Sequence, residues 1–148
     1  EIIELAAIRI INHKIADQLE ILVKVEKGVP KVITELTGIT EEILEEKGMV
    51  LSSAMEKFCE FIGQSTIVGH NIAFDRSFLK EACRKTNRMN LKNSAKDTLD
   101  LARRRIDDID DYKLYALADY FQIKVEEEHR ALSDCITTFQ VFEKLNEI

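Results

Sequence analysis

Residues 68–75 read VGHNIAFD, and the fold turns on how that run is parsed. It opens as a buried strand, passes through Gly69, His70 and Asn71, and then sets Asp75 directly after Phe74 at the head of a segment with an apolar face. A strand that gives way to a helix within a few residues is the mark of an α/β chain. The carboxylate on that early turn has two readings. It is either a favourable partner of the helix dipole, worth about 0.3–1 kcal/mol, or a functional group held on a frame stiffer than a loop.

Working outward, Thr66 to Val68 supplies the short buried strand. Before it, Met55, Phe58, Cys59 and Ile62 recur at helical spacing, Ser53 and Glu56 form a capping-box pattern, and Gly63 stops the helix. After it, Phe74, Phe78, Leu79, Ala82 and Cys83 line one face of the next helix. Asp97 is placed to cap a helix running through Ala102, with Asp100 in its opening turn. Leu114, Leu117, Ala118 and Phe121 mark another helix. The last runs from about Ala131 to Leu145, with Leu132, Cys135, Ile136, Phe139 and Phe142 inward. At the other end, Glu1 to Ile11 and Asp17 to Val25 flank an Asn12-His13-Lys14 turn and read as a hairpin. Pro30 breaks that pattern, and Thr37-Gly38-Ile39-Thr40 reads as a turn with Thr40 capping a short helix. A hairpin followed by alternating helices and short strands predicts an α/β class with a mixed β-sheet flanked by helices.

A chain of 148 residues, 45% hydrophobic and with one proline, is expected to form a single domain over residues 1–148. There is no charged-then-apolar leader, and the most apolar stretch, EIIELAAIRII, is interrupted by Glu4 and Arg9. The expectation is a soluble, cytoplasmic protein with no membrane partner. The three cysteines, Cys59, Cys83 and Cys135, are scattered in apolar helical settings and read as core thiols in a reducing compartment rather than as disulfides or a zinc cluster. A formal charge of -6 argues against binding nucleic acid through a broad basic surface. It is compatible with acids that gather divalent cations, and equally with an ordinary acidic cytosolic protein.

A second polar island, HRALSDC, begins at His129. Asp134 follows five residues later, and five positions on a helix turn about 140°, so the two side chains would not share a helix face. His129 is therefore expected in the lead-in loop, free to swing over a cleft, with Asp134 fixed on the first turns. Each residue also has a structural reading. Asp75 and Asp134 can serve a helix dipole, and His129 can be a surface or capping histidine. His70 and Asn71 can satisfy backbone groups at a strand end, which is the preferred reading for His70. His13, in a turn, gets no role, and Arg103-Arg104-Arg105 reads as a solvated helix end rather than a phosphate site.

Taken together the islands say more. VGHNIAFD and HRALSD, in this order and with DTLDLAR and YKLYALADYF between them, resemble the DnaQ-like (DEDDh) 3'-5' exonucleases, and IIELAAIRI and ELTGIT extend the likeness over nearly the whole chain. Within that family the chain resembles the proofreading exonucleases of bacterial DNA polymerase III, of the epsilon or PolC type. The resemblance implies a ribonuclease H-like fold and hydrolysis of terminal phosphodiester bonds, releasing nucleoside monophosphates from the 3' end of single-stranded DNA. It implies two Mg2+ or Mn2+ ions, with Asp75 and Asp134 as the later two metal-binding carboxylates and His129 as the general base. Two cations about 3.5–4 Å apart hold the attacking and leaving oxygens of an in-line displacement, and histidine ordinarily titrates close to neutral pH. Asn71, Phe74, Glu4 and the ELTGIT turn, with Thr37 and Gly38, are the expected contacts to the terminal nucleotide. A DNA polymerase is the expected protein partner.

The chain departs from the family in one respect. The family's first motif, an Asp-x-Glu on the opening strand, is not among these residues, so the expectation is an N-terminally incomplete domain lacking that strand. The two remaining acids supply at most two negative charges for two divalent ions, and this chain alone is expected to bind them poorly and cleave weakly. Loss of a central strand leaves buried backbone groups on its neighbours, each costing about 1–3 kcal/mol. Glu4 lies where its side chain can face the site, Glu1 reads as an exposed terminal residue, and neither is expected to replace the missing ligands. Two other functions compete: a non-catalytic module of the same fold that binds a polymerase or nucleic acid, and a 3'-end exonuclease acting on RNA.

Overall fold

The structure is a computed structural model and describes residues 1–148. The chain opens with an antiparallel hairpin, β1 (Glu4–Ile11) and β2 (Lys14–Leu22). Asn12 and His13 both take positive φ, 54° and 64°, as a tight two-residue hairpin turn requires. Leu5 pairs with Ile21, which puts both on the buried face. The ladder extends β2 back to Lys14, earlier than apolar alternation placed it, because hairpin pairing continues through exposed residues.

Beyond β2, Val23 forms a parallel bridge with Met49, and its amide donates to the carbonyl of Ile3 at 2.9 Å. Between Val23 and Met49 lie two short helices, α1 (Lys31–Thr37) and α2 (Glu41–Lys47). The sequence pattern marked only a break at Pro30, yet Pro30 is the N-cap of α1, where a missing amide proton does no harm. Periodicity gave no sign of α1 because the helix buries no residue. Gly38 ends it at φ 77°, and Thr40 caps α2 as expected, its hydroxyl accepting from the Ile43 amide at 3.2 Å.

Helix α3 (Leu51–Ile62) starts before the expected cap. No side chain caps it, and Ser53 and Glu56 are exposed within it, so the capping box does not form. Leu51 packs on the core, and tertiary packing of that kind outweighs a local cap in setting where a helix begins. Ala54, Met55, Phe58 and Ile62 close this core over Leu5, Ile21 and Val23.

The second half runs β3 (Ile67–Gly69), α4 (Ile72–Lys85), β4 (Ala95–Asp97), α5 (Thr98–Arg105), α6 (Leu114–Tyr120) and α7 (Ala131–Asn146). β3 and β4 pair in parallel, with Gly69 opposite Asp97. The strands form two two-stranded ladders, one antiparallel and one parallel, so the chain has the expected mixed α/β class, with small sheets flanked by helices. Helix α7 packs on β1, β2 and β3 and so spans both ladders.

Two apolar faces differ from expectation. In α4 the buried stripe is Leu79, Ala82 and Cys83, whereas Phe74 and Phe78 are 60% and 41% exposed. Phe74 precedes Leu79 by five positions, about 140° around the helix. In α7 the fully buried positions are Thr137, Thr138, Val141 and Leu145, while Leu132, Cys135, Ile136, Phe139 and Phe142 are half-buried. Val141 and Leu145 join Ala102, Ile106 and Leu117 in a second core. All three cysteines are free thiols. No helix is long and apolar enough to cross a membrane.

Candidate active site

The entry to α4 is built from backbone geometry. Asn71 adopts the left-handed conformation (φ 58°, ψ 53°), which asparagine tolerates better than most residues. This turns the chain from β3 into the helix. The Asn71 amide donates to Asp97 Oδ1 at 2.8 Å, and the same oxygen accepts from the Leu99 amide at 2.9 Å. One carboxylate therefore fixes the starts of both α4 and α5, including the capping role expected for Asp97. His70 braces the same corner: Nε2 donates to the Tyr112 carbonyl at 2.8 Å, and Nδ1 lies 2.8 Å from the Thr98 hydroxyl. Burial holds its pKa below the usual histidine value, against the opposing pull of the Tyr112 carbonyl, so His70 is a neutral structural tie.

Asp75 is the fourth residue of α4 and Asp134 the fourth residue of α7. The wall beside Asp134 is a buried ion pair. Arg130 Nη2 lies 2.9 Å from Glu4 Oε2, and the Ala131 amide donates to Glu4 Oε1 at 3.0 Å. The Glu4 side chain is only 6% exposed. Both of its oxygens are engaged, so Glu4 closes the wall and is not free to meet a nucleotide.

His129 lies in the lead-in loop, exposed, as expected. Its backbone is not free to swing, however. The His129 amide donates to the Tyr115 hydroxyl, and that hydroxyl donates to Asp134 Oδ1 at 2.6 Å. The two rings meet edge to face, centroids 5.1 Å apart. Tyr115 received no role from the sequence, where it is one aromatic residue within YKLYALADYF. Burial, then the bond to Asp134, pushes its hydroxyl well above the usual phenol range and keeps it protonated.

The carboxyl of Asp75 senses that of Asp134. The Asp75 pKa is pushed up to about 6 by loss of hydration, then by repulsion from Asp134 and from Asp97. Asp75 is nevertheless an exposed residue, so its loss of hydration counts for less than in a sealed carboxyl, and the repulsion is the firmer cause. Asp134 is also raised, by burial first and further by Glu4, with the Tyr115 hydrogen bond and His129 pulling the other way. The Cys135 thiol is pushed up to about 12 by burial and then by Asp134, Asp75 and Glu4. That thiol is inert as a nucleophile. Its shift also shows that acids from β1, α4 and α7 crowd one region.

Two carboxylates, Asp134 pushing up the pKa of Asp75, form a hard-oxygen donor set. No three His, Cys, Asp or Glu side chains converge tightly enough to hold a metal by themselves. A magnesium-like ion is commonly held by one or two carboxylates, with water and phosphate oxygens completing the shell. Asp75 and Asp134 fit that mode.

The other expected contacts divide. Phe74 and Phe78 pack edge to face, centroids 5.1 Å apart, on the exposed side of α4 beside Asp75. The side chain of Asn71 is exposed at the same corner. Thr37 and Gly38 make only local bonds: the Thr37 hydroxyl donates to Ile33 at 2.7 Å and accepts from the Ile39 amide at 3.1 Å. Arg103 and Arg104 are exposed, while Arg105 donates to the Leu145 carbonyl at 2.6 Å near the end of α7. His13, assigned no role, lies 3.0 Å from Glu143.

Residues 1–142 match the Exonuclease (RNase T) family. The chain belongs to the exonuclease family. Members of this family are hydrolytic nucleases and in general depend on divalent metals. The exonuclease chain is 38% identical to a PolC-type DNA polymerase III of Caldanaerobacter subterraneus over 152 residues, covering 100% of this chain and 11% of the relative. It thus spans about a tenth of the length of the curated relatives it matches. Its ribonuclease H-like fold is shared with exonuclease X bound to 5'-overhanging duplex DNA (TM-score 0.78, 24% identity, 99% of this chain and 82% of that one). The zinc-bound complex of E. coli exonuclease I with single-stranded DNA also superposes (TM-score 0.83, 18% identity, 97% of this chain and 36% of that one).

Proposed function

We propose that this exonuclease chain serves a bacterial DNA polymerase III of the PolC type, acts in the cytoplasm, and removes mispaired nucleotides one at a time from the 3' end of single-stranded DNA. The observation that carries this reading is the electrostatic coupling of Asp75 to Asp134 beside His129, in a chain of this family.

Asp75 and Asp134 hold the divalent ions, magnesium or manganese. When bound, such ions lower the pKa of water and stabilise the leaving oxygen. The protein's own residues do the rest. His129, exposed at the rim, accepts the proton of the attacking water on its imidazole. Phe74 and Phe78 offer an aromatic platform for the terminal base, since stacking is indifferent to base identity. The Glu4–Arg130 pair holds the start of α7, and with it Asp134, against β1. Two carboxylates offer at most two charges to a pair of divalent ions. Water and phosphate oxygens complete the shell around those ions.

The test is an assay on 5'-labelled single-stranded oligonucleotides with Mg2+. Stepwise shortening from the 3' end is expected, and Asp134→Asn should abolish it. Binding without shortening would instead identify a nucleic-acid-binding module. Equal or faster shortening of RNA of the same sequence would move the substrate to RNA, because no residue of the site is assigned to a 2'-hydroxyl.

A further inference from the structure

The geometry points to Tyr115 as a positioning residue that couples the placement of His129 to that of Asp134. This rests on the reading of Asp134 as a metal ligand and His129 as a base.

The direction of each bond is fixed by chemistry. An amide nitrogen only donates and a carboxylate only accepts, so the single hydroxyl proton goes to Asp134 Oδ1 while a lone pair receives the His129 amide. The result is a one-way chain from His129 through Tyr115 to Asp134. It fixes Oδ1 and with it the orientation in which the carboxylate meets a cation. Tyr115 stands on α6, which packs directly on α7, so the hydroxyl comes from a rigid neighbour and not from the loop it restrains.

His129 needs such a restraint. It has φ 63°, left-handed backbone that a non-glycine residue keeps only where its surroundings over-determine it. Three ties do so here. The His129 amide bonds Tyr115, the Glu127 amide donates to the Ser133 hydroxyl at 3.1 Å, and Arg130 is bound to Glu4. Only the first reaches a ligand-type side chain. Removing the hydroxyl while keeping the ring therefore takes away the bridge between the loop and Asp134 without opening a cavity, leaving only the direct approach of the His129 amide to that carboxylate.

Tyr115→Phe in the full protein separates the possibilities. Melting temperature is expected to stay within a few degrees. The kcat should fall about 10- to 100-fold, as for loss of a group that orients a metal ligand, with KM changed less than about twofold, because no substrate contact is removed. Mn2+ affinity, read by electron paramagnetic resonance, should fall about tenfold. Hydrogen exchange at the His129 amide should speed up at least about tenfold over the native protein. Unchanged kcat, Mn2+ affinity and exchange would overturn the assignment, as would a fall in KM-linked binding alone. If the variant fails to fold, exchange at His129 in the native protein decides: protection above its exposed neighbour Glu128 supports the tie, and equal rates refute it. Asp134→Asn keeps the two readings apart. If that substitution leaves Mn2+ affinity unchanged, the metal-site reading fails, while the exchange measurements still decide whether Tyr115 holds the loop.

Discussion

Glu4 and Arg130, 126 residues apart in the chain, meet in a buried ion pair with Nη2 2.9 Å from Oε2. The pair joins the first strand to the start of the last helix. Removing Glu4 leaves Arg130, partly exposed, with only Glu127 at 3.5 Å, and it deprives the Ala131 amide of its acceptor. Glu4→Ala is expected to cost about 2 kcal/mol in urea denaturation, mostly from the unsatisfied Ala131 amide and the weakened pairing of Arg130. The double replacement Glu4→Ala, Arg130→Met should cost less than Glu4→Ala alone. Equal stability of Glu4→Ala and the native protein would show that the pair does not hold the wall.

Asp75 makes stability depend on pH in a defined direction. Its pKa is raised in the fold, from 3.8 to about 6, so the folded state binds that proton more tightly than the unfolded state does. Its contribution is therefore most favourable below about 4 and is lost as pH rises through about 6. Asp75→Asn should stabilise the metal-free protein at pH 8 by about 1 kcal/mol once solvent screening is allowed for. The gain should vanish near pH 4. Urea denaturation at the two pH values, native against variant, is the measurement, and a gain that grew toward acid would refute the direction.

Phe74 is 60% exposed, so truncating it removes little packing. Phe74→Ala should change melting temperature by only a few degrees, as surface substitutions do. If its ring carries the terminal base, KM for a single-stranded oligonucleotide should rise about tenfold, within the range for loss of one stacked base. A large loss of stability with KM unchanged would return Phe74 to the core.

Asn71 tests the turn into α4. With φ at 58°, Asn71→Gly should be close to neutral, while Asn71→Ala should cost about 1 kcal/mol. Thermal denaturation distinguishes them. Equal stabilities would mean that the left-handed turn is not a constraint on the site.

What was legible in the sequence were features with a short-range signal. Alternation exposed the hairpin, and Ile21 and Val23 are buried as the pattern requires. Thr40 and Asp97 cap the helices they precede, because capping depends on residues two or three positions apart. The same logic misplaced the start of α3, where core packing of Leu51 outweighs Ser53 and Glu56. Periodicity also put Phe74 and Phe78 inside, since it registers apolar residues without knowing which face meets a partner. The buried threonines of α7 lack an apolar signature altogether. In the site, spacing indicated which helix starts bear Asp75 and Asp134, and the lead-in loop that bears His129. It carried no information on Tyr115, whose partners are a carboxylate and a loop amide many residues away. One clue was present: Glu4 within an apolar strand needs a buried cation, and Arg130, next to His129, supplies it.

The central claim is that Asp75 and Asp134 share divalent metal beside His129. Calorimetric titration of Mn2+ into the native protein, Asp75→Asn and Asp134→Asn tests it most directly. Each substitution should weaken binding at least about tenfold and abolish shortening of a labelled 3' end in the same samples. Native Mn2+ affinity in both variants would contradict it.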